Sequence, residues 1–400
     1  MAVAGVLPVL LGGDANVYGM ARSFYEAYGV HSVAVCKRAL PALAHSRLVK
    51  AAVENPRLEE DSVFTAALIA LAEAHPDRTC LLISCADGYT MQMARCREAL
   101  APYYKFACPD PATVQSLGTK EGFARVCAEH GLRTPRSVTL PCGERVPELP
   151  FAGPVIVKPA DSPAYWNCRF AGKRKVYLTQ DAAELAAVVD IVRQGGYAGD
   201  LLLQEYIPGP DTALGVVNAY CAKDGSVPWM VQGQVLLQER TPEGIGNYAA
   251  ILTEPARQDT ALLAVLAALL RRSGWRGYAN FDFKYDRSGK PVLFEMNPRQ
   301  GRASYFCTAA GASLALPPVE DLVQQDAVTL PMLRPSVWYT APWGIVRRYC
   351  PDKSLLQRAD SLRRRGRGRC HLLAPGEGPA RRVWFAVRQG AYRRKMKKSF

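Results

Sequence analysis

Apolar positions along the chain follow two rhythms, one of short continuous runs and one of helical spacing. Val6 to Leu11 is a continuous apolar run, the length of a strand buried on both faces. Gly12-Gly13-Asp14-Ala15-Asn16 follows, then helical spacing from Val17 to Tyr28 stopped by Gly29, then a second run over Val30 to Val35. This is a β-α-β opening with a glycine turn at its first crossover. A helix over Ser62 to Ala74, a strand over Cys80 to Ser84 and a helix over Thr90 to Leu100 continue the alternation. An open parallel sheet is therefore expected, closing near Pro109 to Pro111. The crossover is not a G-x-G-x-x-G, so a nicotinamide fingerprint is weakly supported. Ligands of such sheets gather beyond the carboxyl ends of the strands. Asp14, Asn16 and Asp87 sit there and are candidates for a substrate site, with turn capping as the alternative.

From Thr113 the rhythm changes. Thr113 to His130 reads as one helix with Lys120 in its middle, and a short strand begins at Thr134-Pro135. Val155 to Pro159 is a β-branched strand that ends in Lys158, so the lysine is aimed by its strand. A turn-rich segment, Asp161 to Gly172, leads into Lys173-Arg174-Lys175 and a strand over Val176 to Leu178. A loop with three cations between two strands is a candidate phosphate lid, against a solvated hairpin. A helix over Asp181 to Val192 precedes the strand Leu201 to Ile207, whose apolar run is interrupted by Gln204 and Glu205. Polar groups inside such a run imply a specific bonding partner. Leu214 to Ala222 and Trp229 to Glu239 read as antiparallel strands across a K-D-G-S turn. Pro242 to Asn247 is a loop and Gln258 to Ser273 a helix.

The stretch Gly277 to Arg302 carries the chemistry. Phe281-Asp282-Phe283 and Val292-Leu293-Phe294 flank a D-R-S-G turn, which predicts a hairpin. Pairing brings Asp282 toward Glu295 and Asn297, and the latter two share a strand face because they are two residues apart. Two carboxylates and a carboxamide oxygen suit a hard divalent cation held with phosphates. Arg299 projects the same way and can grip a phosphate or carboxylate oxygen with its forked guanidinium.

Bulk properties narrow the class. The 400 residues suffice for two or three domains. The N-terminus lacks the basic region of a signal peptide, and no apolar run is long enough to span a bilayer. Twelve cysteines without a C-x-x-C read as reduced thiols of a cytoplasmic protein. The net charge of +14 is concentrated at one end: residues 347–400 carry 17 Lys and Arg against 3 Asp and Glu, and the remainder balances. That basic tail mixes Val383, Trp384, Phe385, Val387 and Tyr392 with cations, which fits transient contact with an anionic membrane surface at the inner face, or simply a solvated basic appendage. Nucleic acid is disfavoured as a partner, since no reading module accompanies the basic clusters. A homodimer is the default assembly. Val337 to Val346, with Trp338, Tyr339 and Trp343, is expected to start the appendage with a strand that packs on the grasp domain.

The order of these parts resembles the ATP-grasp carboxylate–amine ligases, over roughly residues 10–302. It rests on G-G-D-A-N, the helix with Lys120, V-I-V-K-P, Q-E-Y-I-P-G, F-D-F and E-M-N-P-R. The last two at their spacing are the specific signal, and the layout looks most like D-aspartate ligase relatives. The resemblance implies an α/β fold with α+β grasp domains. An N-terminal parallel-sheet domain would span 1–111, a grasp domain 112–330, with a nucleotide lid over about 135–200 and a catalytic half over about 201–330, and a basic appendage 331–400. It implies ATP and Mg2+, two ions with Mn2+ as a substitute, and an amide bond made through an acyl phosphate. The partners would be a small carboxylate, an amino acid, and an amine acceptor, with a peptidoglycan precursor as one candidate and a dipeptide or small-metabolite ligase as the alternative. By position, Lys120 and Lys158 resemble the phosphate-contacting lysines, and Ser162 and Lys173, with Gly172 and Lys175, the mobile phosphate loop. Gln204, Glu205 and Ile207 resemble the adenine-side strand, and Asp211 the ribose contact. Asp282, Glu295 and Asn297 resemble the Mg2+ ligands, and Arg299 the arginine on the acyl phosphate. The loop departs from the family's glycine- and serine-rich composition, and Asp282 stands where glutamate is common. The tail would then be a precursor-handling element, so truncation at Tyr349 is expected mainly to raise KM.

Overall fold

The computed structural model describes residue 3, residues 5–241 and residues 244–397; the Pro242 end of the expected loop lies outside them. The side chains of Ser162, Pro163, Trp166 and Lys397 are likewise outside the description.

The first sheet holds four parallel strands, β1 (Val6–Leu11), β2 (Ser32–Cys36), β3 (Val49–Glu54) and β4 (Thr79–Ser84), in the order β3-β2-β1-β4. Central β1 is buried along its whole length, as its unbroken apolar run requires. The edge strand β3 is mostly exposed and carries no apolar alternation, which is why the sequence hides it. The crossover after β1 is tight. Gly12 has φ +140°, and a Cβ on Gly13 would lie 2.3 Å from the Arg38 carbonyl oxygen, so only glycine fits. Asp14 then caps the helix Ala15–Tyr28 by accepting from Asn16 N–H at 2.9 Å.

A smaller antiparallel sheet follows, β5 (Ser137–Leu140), β6 (Val155–Pro159), β7 (Tyr177–Thr179) and β8 (Leu201–Glu205), ordered β5-β8-β6-β7. Helix Ala182–Gln194 packs Leu185, Val189 and Val192 onto it, giving a core of its own. The unit occupies the stretch assigned to the lid and extends past its expected end at residue 200. β8 belongs to this sheet, paired with β5 and β6, so the catalytic half begins after it and not at residue 201. The run Leu201-Leu202-Leu203 reads the same in either core, and only long-range pairing decides.

The main sheet has seven strands. β9 (Leu214–Cys221), β10 (Trp229–Gln238), β11 (Tyr248–Thr253), β12 (Gly277–Tyr285), β13 (Pro291–Asn297), β14 (Ser336–Tyr339) and β15 (Gly368–Cys370) run in the order β13-β12-β9-β10-β11-β14-β15. Helix Thr260–Arg272 covers one face with Leu262, Leu266, Leu269 and Leu270, an i, i+4, i+7, i+8 stripe. Residues of the first sheet and of the main sheet share two cores, so these units are fused along packed faces.

The tail begins, as expected, in a strand packed on the main sheet, β14 pairing antiparallel with β11. Beyond it the chain is more than an appendage, because β15 pairs parallel with β14 and extends the sheet. The stretch expected as one strand from Val337 to Val346 is β14 followed by helix Trp343–Tyr349. The last helix, Pro379–Lys397, is tied to the first domain by Arg381, which is fully buried. Its guanidinium donates to the carbonyls of Ala44 (2.8 Å) and Leu372 (2.9 Å) and lies 4.3 Å over Tyr18 and 4.1 Å over Trp384. Among the described residues no helix is long and apolar enough to cross a membrane.

Candidate active site

A cleft of about 550 Å³ lies where the first sheet, the β12–β13 hairpin and the C-terminal strands meet. The hairpin forms as its turn chemistry predicts: Gly289 N–H donates to Asp286 O at 2.9 Å. Asp282 faces Glu295 across it and Asn280 faces Asn297, and a bulge follows Asp282. All four line the cleft. Asp282 Oδ1 accepts from the Tyr248 hydroxyl at 2.7 Å, while Asn297 Nδ2 donates to Asp282 Oδ2 at 3.1 Å and Asn280 Oδ1 at 2.9 Å. Burial, and then the Glu295 charge, push the Asp282 carboxyl up to about 7. Two carboxylates crowded in this way are in want of a cation. Among the described residues no three His, Cys, Asp or Glu cluster as a metal site. The pair therefore suits Mg2+ carrying phosphate and water oxygens better than a closed protein cage.

Arg299 joins the hairpin to the first domain. Its Nε lies 3.0 Å from Asp87 Oδ1, and Nη2 donates to Asn297 Oδ1 at 3.2 Å. Asp87 opens the helix Asp87–Arg95 at the end of β4 and lines the cleft, as its place in the sheet implied. Asn16 is buried instead, donating to the carbonyls of Cys85 (2.9 Å) and Gln300 (3.0 Å), and Asp14 serves as the helix cap.

The lysines come from two further elements. Thr119 divides the expected helix into Pro111–Gly118 and Lys120–Glu129, its hydroxyl accepting from Gly122 N–H at 3.2 Å. Lys120 thus stands at a helix start and lines the cleft, not at mid-helix. Lys158 Nζ donates to Gln204 Oε1 at 3.0 Å, and Gln204 Nε2 to Ser137 Oγ at 3.0 Å. Burial first, then the charge of Lys120, bring the Lys158 ammonium down to about 8, with Glu295 opposing. Two half-dehydrated ammonium groups held together make a site for a polyanion.

The residues carried over to the phosphate loop and the nucleotide strand lie elsewhere. Lys173 turns away from the cleft, donating to Cys168 O at 2.6 Å and sitting 4.9 Å over the Tyr165 ring. Lys175 is the loop cation that reaches the cleft. Ser162 opens the short helix Ser162–Asn167, and its side chain lies outside the described ones. Glu205 is held by Arg133 (2.8 Å) and Arg136 (3.3 Å). The Ile207 carbonyl accepts from buried Lys284 Nζ at 3.0 Å. Asp211 accepts from Gln238 N–H at 3.0 Å. Gln204, Glu205, Ile207 and Asp211 do not line the main cleft.

Sequence reasoning missed the other wall, formed by Glu239, Arg302, Trp338, Thr340, His371 and Arg388. His371 is fully buried. Trp338 Nε1–H donates to its Nδ1 at 3.0 Å, so the ring proton sits on Nε2 and is donated to Ala15 O at 2.8 Å. Burial holds this imidazole down to about 3. One signal was available: Arg381, Trp384, Phe385, Arg388 and Tyr392 fall at i, i+3, i+4, i+7 and i+11, one face of a helix.

Compared with known proteins, the chain is 37% identical over 328 residues to the D-aspartate ligase of Enterococcus faecium (strain Aus0004), covering 79% of this chain and 76% of the relative. It is 25% identical over 187 residues to the D-alanine–D-alanine ligase of Anaeromyxobacter dehalogenans (strain 2CP-C), covering 46% and 56%. Among solved structures, the L-amino acid ligase from Bacillus licheniformis aligns with a TM-score of 0.59 at 14% identity, over 84% of this chain and 80% of that one. The ADP complex of N5-carboxyaminoimidazole ribonucleotide synthetase aligns with a TM-score of 0.61 at 13% identity, over 86% and 85%. No protein-family model matches the chain.

Proposed function

The chain belongs to the ATP-grasp carboxylate–amine ligases, and from that premise we propose that it joins an amino acid, D-aspartate first among candidates, to the amine of a peptidoglycan precursor, using Mg-ATP. It is an ATP-dependent ligase that forms C–N bonds. The observation that carries the finer reading is the convergence of Lys120, Asp282, Glu295 and Arg299 at one cleft, with Lys158 behind it close enough to feel Lys120 and Glu295, together with the 37% identity to a D-aspartate ligase.

A carboxylate is a poor electrophile. In the proposed reaction a donor carboxylate oxygen attacks the γ-phosphorus of ATP, and the γ-phosphorus–bridging-oxygen bond breaks to release ADP. The acceptor amine then attacks the acyl carbon, loses a proton, and phosphate leaves. Mg2+, held by Asp282 and Glu295 with the Asn297 amide beside them, would neutralise charge on the phosphate oxygens. Lys120 and Lys158 supply fixed positive potential for the phosphates. Arg299, steadied by Asp87 and Asn297, is oriented to hold an anionic oxygen at the reacting end. The small sheet, with its separate core, is built to close over the cleft and exclude water from the acyl phosphate.

Phosphate release from Mg-ATP tests the reading, with D- and L-amino acids supplied with and without a muramyl-pentapeptide nucleotide. Release that needs both D-aspartate and the nucleotide is expected. Release with free amino acids alone would transfer the chain to the dipeptide ligases, and no release under any pairing would refute the proposal.

A further inference from the structure

The wall opposite the hairpin brings two guanidiniums, Arg302 and Arg388, to the cleft. Arg388 lines the cleft beside Arg302, and the two are close enough to repel. Arg388 Nη1 is shielded from solvent and has no hydrogen-bond partner among the described residues. Leaving such a donor unpaired is costly, more so when it is charged. Glu239 is the acid that attracts Arg388 most strongly, but one carboxylate, with about four lone-pair sites, cannot satisfy two guanidiniums of five donors each. The helix that carries Arg388 is rigidly placed. Arg381 anchors it to Tyr18 and Ala44, and Gln389 Nε2 donates to Thr340 O at 3.1 Å. The Arg388 guanidinium lies 5.7 Å over the Tyr392 ring, which fixes its direction.

The Arg388 guanidinium shares the cleft with the proposed reacting end, where Arg299 and the Asp282–Glu295 pair lie. A substrate spanning both ends carries one anionic group to be activated and a second to be gripped. We propose that Arg388, with Arg302 beside it, is the specificity-determining clamp for the non-reacting carboxylate of the carboxyl donor, which is therefore a dicarboxylic amino acid. The inference rests on the ligase reading above and adds the residues that would read the donor's second carboxylate.

Calorimetric titration of the full chain with D-aspartate, with D-alanine and with Mg-ADP tests it, for wild type, Arg388→Met and Arg388→Lys. Wild type is expected to bind D-aspartate more tightly than D-alanine. Arg388→Met weakens D-aspartate binding about 100-fold, the scale for removing one partner of a desolvated charge pair. D-alanine and Mg-ADP binding stay as in wild type, and Arg388→Lys recovers part of the loss. Unchanged D-aspartate binding in Arg388→Met overturns the proposal. So does equal wild-type affinity for both amino acids, as does a matching loss of Mg-ADP binding, which would make Arg388 a phosphate or structural residue. Failure of the ligase reading looks different: D-aspartate and Mg-ADP bind as expected, but phosphate is not released with any acceptor.

Discussion

Replacing Lys158 by methionine should stabilise the free protein while disabling it toward nucleotide. The ammonium falls from its ordinary 10.5 to about 8 in the fold. At about 1.4 kcal/mol per unit, keeping it charged costs the folded state about 3 kcal/mol. The sign follows from proton counts. Below pH 8 the lysine is charged in both states and the full cost is present; between pH 8 and 10.5 the unfolded chain binds the extra proton, so stability rises with pH. At pH 7 the methionine variant escapes the whole penalty. It also deprives Gln204 Oε1 of its donor, a loss of about 1 kcal/mol, leaving a net gain of about 2 kcal/mol. Nucleotide reverses the ranking. A ligand at 100 times its Kd stabilises the native state by about 2.7 kcal/mol. If the variant binds Mg-ADP about 100-fold more weakly, the same concentration gives it about 0.4 kcal/mol. Urea unfolding followed by circular dichroism, with and without Mg-ADP, measures both quantities. A variant less stable than wild type when free, or equally protected by nucleotide, would refute the reasoning.

Asp282→Asn keeps an oxygen for the Tyr248 hydroxyl but removes a charge from the cation site, so phosphate release should fall by about 1,000-fold, on the order of a lost transition-state charge contact, with an unchanged circular dichroism spectrum. For His371, the folded pKa of about 3 lies below the unfolded 6.5. Its contribution is therefore complete above pH 6.5 and lost as pH falls toward 3, about 2 kcal/mol by pH 5; His371→Gln should flatten the stability curve between pH 5 and 7. Arg381→Met strips two carbonyls of their buried donor and should cost about 3 kcal/mol in urea unfolding. Truncation at Tyr349 removes β15 and the last helix, so it should yield a misfolded chain on gel filtration and not merely a raised KM.

The parts of the site that the sequence displayed are those made by neighbours in the chain. The hairpin around Asp286 needed only its turn residues and strand parity, and those put Asp282 opposite Glu295. The cap at Thr119 was equally local, since Gly118-Thr119 is a stop followed by a start, yet helical apolar spacing on both sides masked it. The choice between Lys173 and Lys175 could not be made from a loop without periodicity. It is decided by Tyr165 and Tyr177, which pack that loop against the small sheet and turn Lys173 inward. β8, β14 and β15 find their partners across long stretches of chain, where register is set by tertiary packing. Their apolar content is ordinary, so composition pointed to an appendage where the fold has a wall.

The charged groups of the cleft share one physical feature. Lys158 is opposed by Lys120, Asp282 by Glu295, and Arg388 by Arg302. Each is a pair of like charges held close by a scaffold stiff enough to keep it so: a helix start against a strand end, two strands of a hairpin, and a loop against an anchored helix. Each pair costs stability in the free protein, and in the proposed reading each would be relieved by a different ligand: nucleotide phosphate, divalent cation and donor carboxylate. The ligands are then coupled through the chain's own charges. Mg2+ at Asp282 and Glu295 removes the negative partner that now offsets Lys158, which raises the need for phosphate there, and bound phosphate in turn favours the cation. Such a site is empty at a cost and full at a gain, and the same strain that should make Lys158→Met a stabilising change is what the proposed set of ligands would relieve.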